Sequence, residues 1–263
     1  MFAILSDIHA NLEALQAVLA DMQARGVQQA VCLGDIVGFN GNPAECVELV
    51  RPLLAAAVRG NHEAAMFNHA VFGVPLYIRM IQLTGGMLSA EQRDWLHALP
   101  TTAEHRGCRL FHATPAAPRR WGRINGTMDA QAAFNATVEH LCFFGHTHRP
   151  AAFALVDGAV QSLPIRYDAA GTCTLPLNPA ARHLVNPGSV GQPRDGDWRA
   201  AYAVYDDEQG TITLRRVAYN VEAAAPKISR TGLPDSFSAA LLRGASPVMP
   251  QNKNAPKGGM PQK

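Results

Sequence analysis

The sequence predicts an α/β protein with two β-sheets packed face to face and helices outside them, and three observations carry this. Up to Pro150, short continuous apolar runs (Phe2 to Leu5, Ala30 to Leu33, Leu53 to Val58, Cys108 to Phe111 and Leu141 to Phe144) alternate with helical stretches. That is the pattern of a largely parallel sheet covered on both faces. After Pro150 strand-like runs follow one another through glycine turns without long helices between them, which predicts a second, more antiparallel sheet. The chain of 263 residues is 48% hydrophobic and 17% charged, enough for a core that needs no covalent staples, and no shift in composition marks a domain boundary.

Taken in order, Asn11 caps a helix with Leu12, Leu15, Leu19 and Met22 at helical spacing, and Gly26 ends it. Pro43 starts a second helix through Cys46, Val47 and Val50. Residues 64–99 are helical by pattern, with Ser89 and Gln92 as a capping box before Trp95, Leu96 and Leu99; Phe67 to Leu88 is expected to form a cap beside the site. Ala151 to Val156, Leu184 to Asn186, Tyr202 to Tyr205 and Thr211 to Val217 are the later strands. One folded domain is therefore expected over residues 1–222, with a partly disordered tail over 223–263. In that tail, turns around Phe237, Leu241 and Leu242 are candidates to dock, and Pro247 to Lys263 is expected to be disordered.

Composition also excludes function classes. The formal charge is +2, and no basic stripe interleaves with aromatics, so a nucleic acid polymer is not the expected partner. The five cysteines (Cys32, Cys46, Cys108, Cys142, Cys173) are scattered and never form a C-x-x-C pair, which suits buried thiols of a reducing compartment. The opening apolar run is too short for a signal or membrane segment, so a cytoplasmic protein without a membrane partner is expected. Oligomeric state is left open.

Each of the five apolar runs ends in potential ligands. The first opens into Asp7-x-His9, two residues that alternation in an extended chain turns the same way. Alone, such a pair is an ordinary solvated strand end. It is repeated by Asp35, by Asn61-His62-Glu63, by His112 and by His146-Thr147-His148, and strand tips of this kind converge on one edge of a sheet. Gly34 and Gly60, just before two of them, allow a sharp turn or a close approach. Asp7, His9, Asp35, Asn61, His112, His146 and His148 offer oxygen and nitrogen but no thiolate, a set suited to a borderline-hard divalent ion. Seven is too many for one ion. With one bridging carboxylate, two ions roughly 3.5 to 4 Å apart would each have four ligands, the clamp used for in-line displacement at phosphorus.

Asp7-x-His9, Gly34-Asp35-x-x-Gly38, Gly60-Asn61-His62-Glu63, His112 and Gly145-His146-Thr147-His148 together resemble the five blocks of the calcineurin-like metallophosphoesterase superfamily, in their usual order, over roughly residues 1–220. The resemblance implies a four-layer αββα sandwich of two mixed β-sheets flanked by helices, and a dinuclear centre of Mn, Fe, Co, Ni or Zn, with Mn favoured. It assigns Asp7, His9, Asp35 and His148 to one metal and Asp35, Asn61, His112 and His146 to the other, with Asp35 as the bridge. Only the motif selects the neutral Asn61. The resemblance places His62 by the phosphate, as an imidazolium that stabilises charge or protonates the leaving oxygen; the bland alternative is a surface histidine. Glu63 either orients His62 or caps the following helix.

Departures narrow the family. Serine/threonine protein phosphatases of the superfamily carry Asp-Arg-Gly where this chain has Gly38-Phe39-Asn40, and paired glycines where it has Ala113-Thr114-Pro115. The chain is more similar to the small bacterial and archaeal phosphodiesterases, so the expected substrate is a small phosphoester, a diester before a monoester. Diadenosine polyphosphate hydrolysis and protein phosphatase activity are the alternatives within the class, the latter disfavoured. A catalytically silent metal-binding scaffold is the alternative outside it, and the full ligand set together with His62 favours the enzyme. Asn40 and Arg194 are candidate substrate contacts, Arg194 because the loop Asn186 to Arg194 could turn amides and a guanidinium toward phosphate; otherwise that loop is a turn between strands. His69, His97 and His105 match no block, and His140 and His183 are expected at the surface. Trp95, Trp121 and Trp198 either line a groove or simply pack.

Overall fold

The computed structural model describes residues 1–248, and of Arg119 only the backbone. Two six-stranded sheets form its centre. In the first the order is β3 (Leu54–Ala57), β2 (Ala30–Cys32), β1 (Phe2–Leu5), β11 (Ala200–Asp206), β12 (Thr211–Val217), β9 (Thr172–Pro176). In the second it is β4 (Thr102–His105), β5 (Cys108–Phe111), β6 (Leu141–Phe143), β10 (Arg182–Asn186), β7 (Ala151–Val156), β8 (Ala159–Ser162). Both sheets are mixed: β1, β2 and β3 run parallel, as do β5, β6 and β10, and the other pairs are antiparallel. The two mixed sheets are those that the family resemblance implies, whereas the pattern's division into a largely parallel and a more antiparallel sheet is corrected. The ligand-bearing runs are shared between the sheets, because β11 pairs with β1 and β10 with β6 across long sequence separations.

The continuous apolar runs are explained by burial on both faces. Phe2 and Ile4 point between the sheets, where they meet Val31, Leu110, Phe143, Val185 and Leu214. Ala3 and Leu5 point the other way, onto Leu15 and Val18 of α1 (Leu12–Ala24) and Val47 of α2 (Pro43–Val50). On the far side Phe111, Phe144 and Leu184 pack on Phe134 of α6 (Thr127–Asn135). The layers are therefore helix, sheet, sheet, helix. Each large apolar side chain so enclosed contributes on the order of 2 kcal/mol. Asn11 caps α1 by accepting the Ala14 N–H at 3.1 Å.

The stretch expected to be helical holds α3 (Asn61–Phe67), a 3-10 turn at His69–Val71, α4 (Pro75–Gly86) and α5 (Ala90–Ala98), the last with the Ser89/Gln92 capping box. The region beyond Val221 departs from the expected tail. It folds as α7 (Val221–Ala224), a 3-10 segment Ala225–Thr231 and α8 (Asp235–Leu242). Phe237 and Leu241 are fully buried beside Phe39, Met80 and Ile81, while Leu242 is exposed. Of the segment expected to be disordered, 249–263 lies outside the described residues. The five cysteines are buried and unbridged. His183 is buried within β10, not at the surface, because β10 is an interior strand between β6 and β7; His105 lies on β4, its ring edge-on to Phe2 at 4.8 Å. Among the described residues no helix is long and apolar enough to cross a membrane.

Helix α1 is fastened to the first sheet by Asp21, which accepts from Tyr202 Oη at 2.6 Å, Arg25 Nε at 3.0 Å and Arg215 Nη2 at 3.1 Å. Burial pushes this carboxyl up, but those donors outweigh burial and hold it below its ordinary 3.8. A depressed carboxyl adds stability above its unfolded pKa and loses it as pH falls through the folded one. Asp21→Asn is therefore expected to cost about 2 kcal/mol at neutral pH. The difference from wild type should shrink toward zero below 3.8, and urea denaturation of both proteins across this pH range checks it.

Candidate metal centre and its cavity

The predicted ligands do gather at one place, but not through strand alternation. β1 stops at Leu5, and Asp7 and His9 lie on the following turn with φ of 52° and 48°. Asp35, His146 and His148 share this left-handed conformation, with φ of 53°, 65° and 59°. For side chains with a Cβ each such residue costs on the order of 1 kcal/mol, so something must hold them. The loops hold one another: the Asp7 N–H donates to Gly34 O at 3.1 Å, the His9 N–H to Asp35 O at 2.9 Å, and the Gly145 N–H to His112 O at 2.8 Å. Gly34, with φ of 95°, passes so close to Gly60 that a Cβ would lie 2.5 Å from the Gly60 nitrogen, and a Cβ on Gly60 would fall on the Asp35 carboxylate. These two glycines are needed for close approach, as their positions predicted.

The ring orientations follow from the partners on the far side of each imidazole. Nδ1 of His9, His112 and His148 faces the carbonyls of Val37, Leu33 and Gln192 at 3.2, 2.7 and 2.7 Å. A carbonyl only accepts, so Nδ1 carries the hydrogen and Nε2 presents a lone pair. These lone pairs then meet other acceptors. Nε2 of His9 lies 3.1 Å from Nε2 of His148, which lies 3.3 Å from Asp7 Oδ1; Nε2 of His112 lies 3.1 Å from Asn61 Oδ1 and 3.3 Å from Asp35 Oδ2. Asp7 Oδ2 accepts from Ser6 Oγ and the His146 N–H, whereas Oδ1 is buried without a hydrogen-bond partner. Acceptors crowded on acceptors repel unless a cation lies among them, and this nitrogen and oxygen set suits a divalent metal.

The ligand atoms group as Asp7, His9 and His148, as Asp35, His112 and His146, and as His9, Asp35 and His62. Burial pushes His9 and His148 well down, and His146 to about 3, toward the neutral ligating form. His112 differs. Burial lowers it, but Asp35 beside it lifts it to about 9, so that a proton competes with a metal for its Nε2. Burial raises Asp7 to about 6; Asp35, although burial opposes it, is held well below the carboxylate range by the charges of His112 and His62.

Asn61 and His62 are delivered by the first turn of α3 rather than by a strand tip. The His62 N–H donates to Asp35 Oδ1 at 2.8 Å. Its ring is enclosed by Phe39, His9 and Phe72 at centroid distances of 4.5, 4.5 and 4.9 Å, and its buried Nδ1 has no partner among the described residues. Nε2 lies 4.0 Å from Asp35 Oδ2. Burial lowers His62 to about 4, with Asp35 working against the shift. Glu63 has a role that neither sequence reading contained. Its carboxylate accepts the N–H groups of Asp35, Ile36, Val37 and Gly60 at 2.9, 2.7, 3.2 and 2.8 Å and so clamps the second ligand loop to the third. Only the Gly60 bond is the expected helix cap; burial, with the Asp35 charge, pushes this carboxyl up to about 7.

The Asn186 to Arg194 loop is a clamp as well, not a cradle of free amides. Asn186 Nδ2 donates to Gly145 O at 2.8 Å, Ser189 Oγ to Asp7 O at 2.8 Å, and the Val190 and Gly191 N–H groups to Ser6 O and Asp7 O at 3.0 Å each. Arg194 alone of this loop reaches the adjoining cavity, its guanidinium 5.5 Å over Phe39 and bonded to Gln192 Oε1 at 2.7 Å. Asn40 donates to His9 O at 2.8 Å and is not among the residues lining the cavity. The cavity, an open cleft of about 200 Å³, is also lined by Asp35, Asn61, His62, His146, His148, Phe72, Tyr77, Trp121 and Arg123. Trp95 instead stacks under Arg51, and Trp198 packs on Tyr219. Trp121 entered the sequence reading only as an undecided tryptophan, and Arg123 not at all; the loop that carries them has no periodic signal.

Residues 1–210 match the calcineurin-like phosphoesterase superfamily domain. An uncharacterised protein of Methanocaldococcus jannaschii is 35% identical over 250 residues, covering 93% of this chain and 98% of its own. A metallophosphoesterase from Sphaerobacter thermophilus superposes with a TM-score of 0.79 at 35% identity, over 93% of this chain and 98% of its own. A hypothetical protein from Pyrococcus horikoshii shares the fold at 19% identity, with a TM-score of 0.73 over the same shares. With the five blocks in order, two mixed sheets and a cluster of metal-ligand side chains at their shared edge, the chain belongs to the calcineurin-like phosphoesterase superfamily.

Proposed function

We propose that the chain hydrolyses a phosphodiester, using two divalent cations of which Mn2+ is the favoured pair. The observation that carries this is the double grouping of acceptor atoms, Asp7, His9 and His148 on one side and Asp35, His112 and His146 on the other. Asp35 Oδ2 approaches His9 at 3.7 Å and His112 at 3.3 Å, and Asn61 Oδ1 adjoins His112 at 3.1 Å, which supports Asp35 as the bridging ligand and Asn61 as the eighth contact. Bound at such a site, divalent cations supply Lewis-acid charge and lower the pKa of water toward neutrality.

The chain's own residues do the rest. His62 stands at the cavity with its backbone tied to Asp35 and its ring fixed by Phe39 and Phe72. Burial disfavours its charged form, and the negative charge of a bound phosphoester works in the opposite direction, toward the proton that a general acid needs. When water adds to phosphorus and the ester P–O bond breaks, the departing oxygen takes its proton from His62. Arg194 lies where it can neutralise phosphoryl oxygens. The aromatic packing of His62 replaces the carboxylate brace of the protein phosphatases, which weighs against a phosphoprotein substrate.

The deciding assay compares bis-p-nitrophenyl phosphate, p-nitrophenyl phosphate, a cyclic nucleotide, a dinucleoside polyphosphate and a phosphopeptide with EDTA-treated protein before and after Mn2+ is restored. Diester hydrolysis should require the metal and exceed phosphopeptide hydrolysis. No turnover with Mn, Co, Ni, Zn or Fe despite two bound ions would establish the scaffold instead. His62→Ala should keep both ions and lower kcat by about 10²- to 10⁴-fold, most for alkyl leaving groups; an unchanged rate on an alkyl ester removes the acid role. Asp7→Asn should deplete one ion more than the other, whereas Asp35→Asn should deplete both. Metal analysis of the purified variants measures this directly, and equal losses in Asp7→Asn would count against the partition.

A further inference from the structure

The cavity beside the ligands holds more than a phosphoryl group needs. Trp121 lies in the loop between β5 and α6 with φ of 54° and belongs to no apolar cluster among the described residues. Its one ring contact among them is an edge with His112 at 5.9 Å, and its buried indole N–H has no hydrogen-bond partner. A half-buried tryptophan in a strained conformation at a cavity wall, with an unanswered donor, is a poor packing residue and a good wall for a planar ring. Phe72 and Tyr77 of the cap line the same cavity from another part of the chain.

Charge is in excess there too. Arg123 lines the cavity and is exposed, and neither it nor Arg194 forms an ion pair among the described residues. The two guanidiniums differ in how they are held: Arg194 lies over Phe39 and is bonded to Gln192 Oε1, whereas Arg123 is exposed at the cavity, and the charges of both reach His146 and Tyr77. A phosphoryl group beside the ligands meets Arg194, held there by Gln192, and the exposed Arg123, with no ion-pair partner among the described residues, can meet a second anion.

We propose that Trp121 and Arg123 form a subsite for the part of the substrate outside the scissile group, so that the preferred phosphoester carries a planar aromatic ring stacked on Trp121 and a second anionic group paired with Arg123, the chemistry of a nucleotide. This rests on the phosphoesterase reading for the identity of the scissile group.

The test is calorimetric titration of the full chain, freed of metal with EDTA so that no probe is consumed, with ribose 5-phosphate, AMP and ADP. Asp7 and Asp35 repel all three phosphates, and the ratios of affinity isolate the subsite. AMP should bind about tenfold more tightly than ribose 5-phosphate, the scale of one base stacked on an aromatic side chain. ADP should exceed AMP by about tenfold, as one added charge-assisted contact gives. Trp121→Ala should abolish the first ratio and Trp121→Phe retain most of it, while Arg123→Met should abolish only the second. AMP should also quench tryptophan fluorescence in the wild type but not in Trp121→Phe. Equal binding of AMP and ribose 5-phosphate, an undiminished ADP preference in Arg123→Met, or no binding of ADP overturns the subsite. If the subsite fails while the Mn2+-restored protein still cleaves bis-p-nitrophenyl phosphate, the phosphodiesterase reading stands alone. If diester cleavage fails and the ratios hold, the subsite stands without it.

Discussion

The Asp35 carboxylate is the constraint on which the rest of the centre depends. Its Oδ1 fixes the start of α3 through the His62 N–H, and its Oδ2 faces His9, His62 and His112 at 3.7, 4.0 and 3.3 Å. Its own backbone N–H is held by Glu63, which is held in turn by Gly60. An ionised group buried this deeply is tolerable only with opposite charge and oriented donors around it. The protein supplies both, from the turns after β1 and β2, from the start of α3 and from the turn after β5. Two sheets converge on one carboxylate, and the mixed topology is what allows them to.

That dependence explains which parts of the site could be found without coordinates. Residue type and local spacing pick out Asp7, His9, Asp35, His112, His146 and His148, because each apolar run announces its strand and the ligand follows within a few residues. The two-sheet architecture follows from the same runs. Their assignment to sheets does not, since β10 pairs with both β6 and β7 across separations of 27 residues or more. Glu63 looks like a capping residue because its Gly60 bond is local; its bonds to Asp35, Ile36 and Val37 span 26 to 28 residues and leave no trace in a helical or strand period. The loop from Asn186 to Arg194 misleads for a similar reason. Its glycines and amides look made for a phosphate, and three-dimensional structure shows the amides already bonded to Ser6, Asp7 and Ser189.

The segment after Val221 is legible only in part: Phe237 and Leu241 stand out as docking candidates, but the helices that carry them do not. Rich in alanine, proline and serine, it lacks a long periodic stretch, yet Phe237 and Leu241 complete an apolar cluster with Phe39, Met80 and Ile81. Phe39, at φ of 60°, is held by Thr231 Oγ1 on its carbonyl at 3.0 Å and by an N–H contact to Met80 Sδ at 3.3 Å. Since Phe39 packs on His62, residues beyond the stretch that matches the superfamily domain govern how the cavity histidine sits. The ligands belong to the common core, and the packing behind His62 belongs partly to this extension.

The placement of β11 between β1 and β12 has a consequence for the order in which the centre can form. During synthesis from the N-terminus, every ligand through His148 emerges before Ala200–Asp206, so β1, which bears the first ligand turn, pairs on one side only until then. The Asn186 to Arg194 clamp, which pins the Asp7 turn, emerges shortly before that strand, and the aromatic floor beneath Phe39 later still. A nascent chain can thus carry the whole ligand set before it can hold that set in place, and its metal affinity should mature with the second half of the polypeptide.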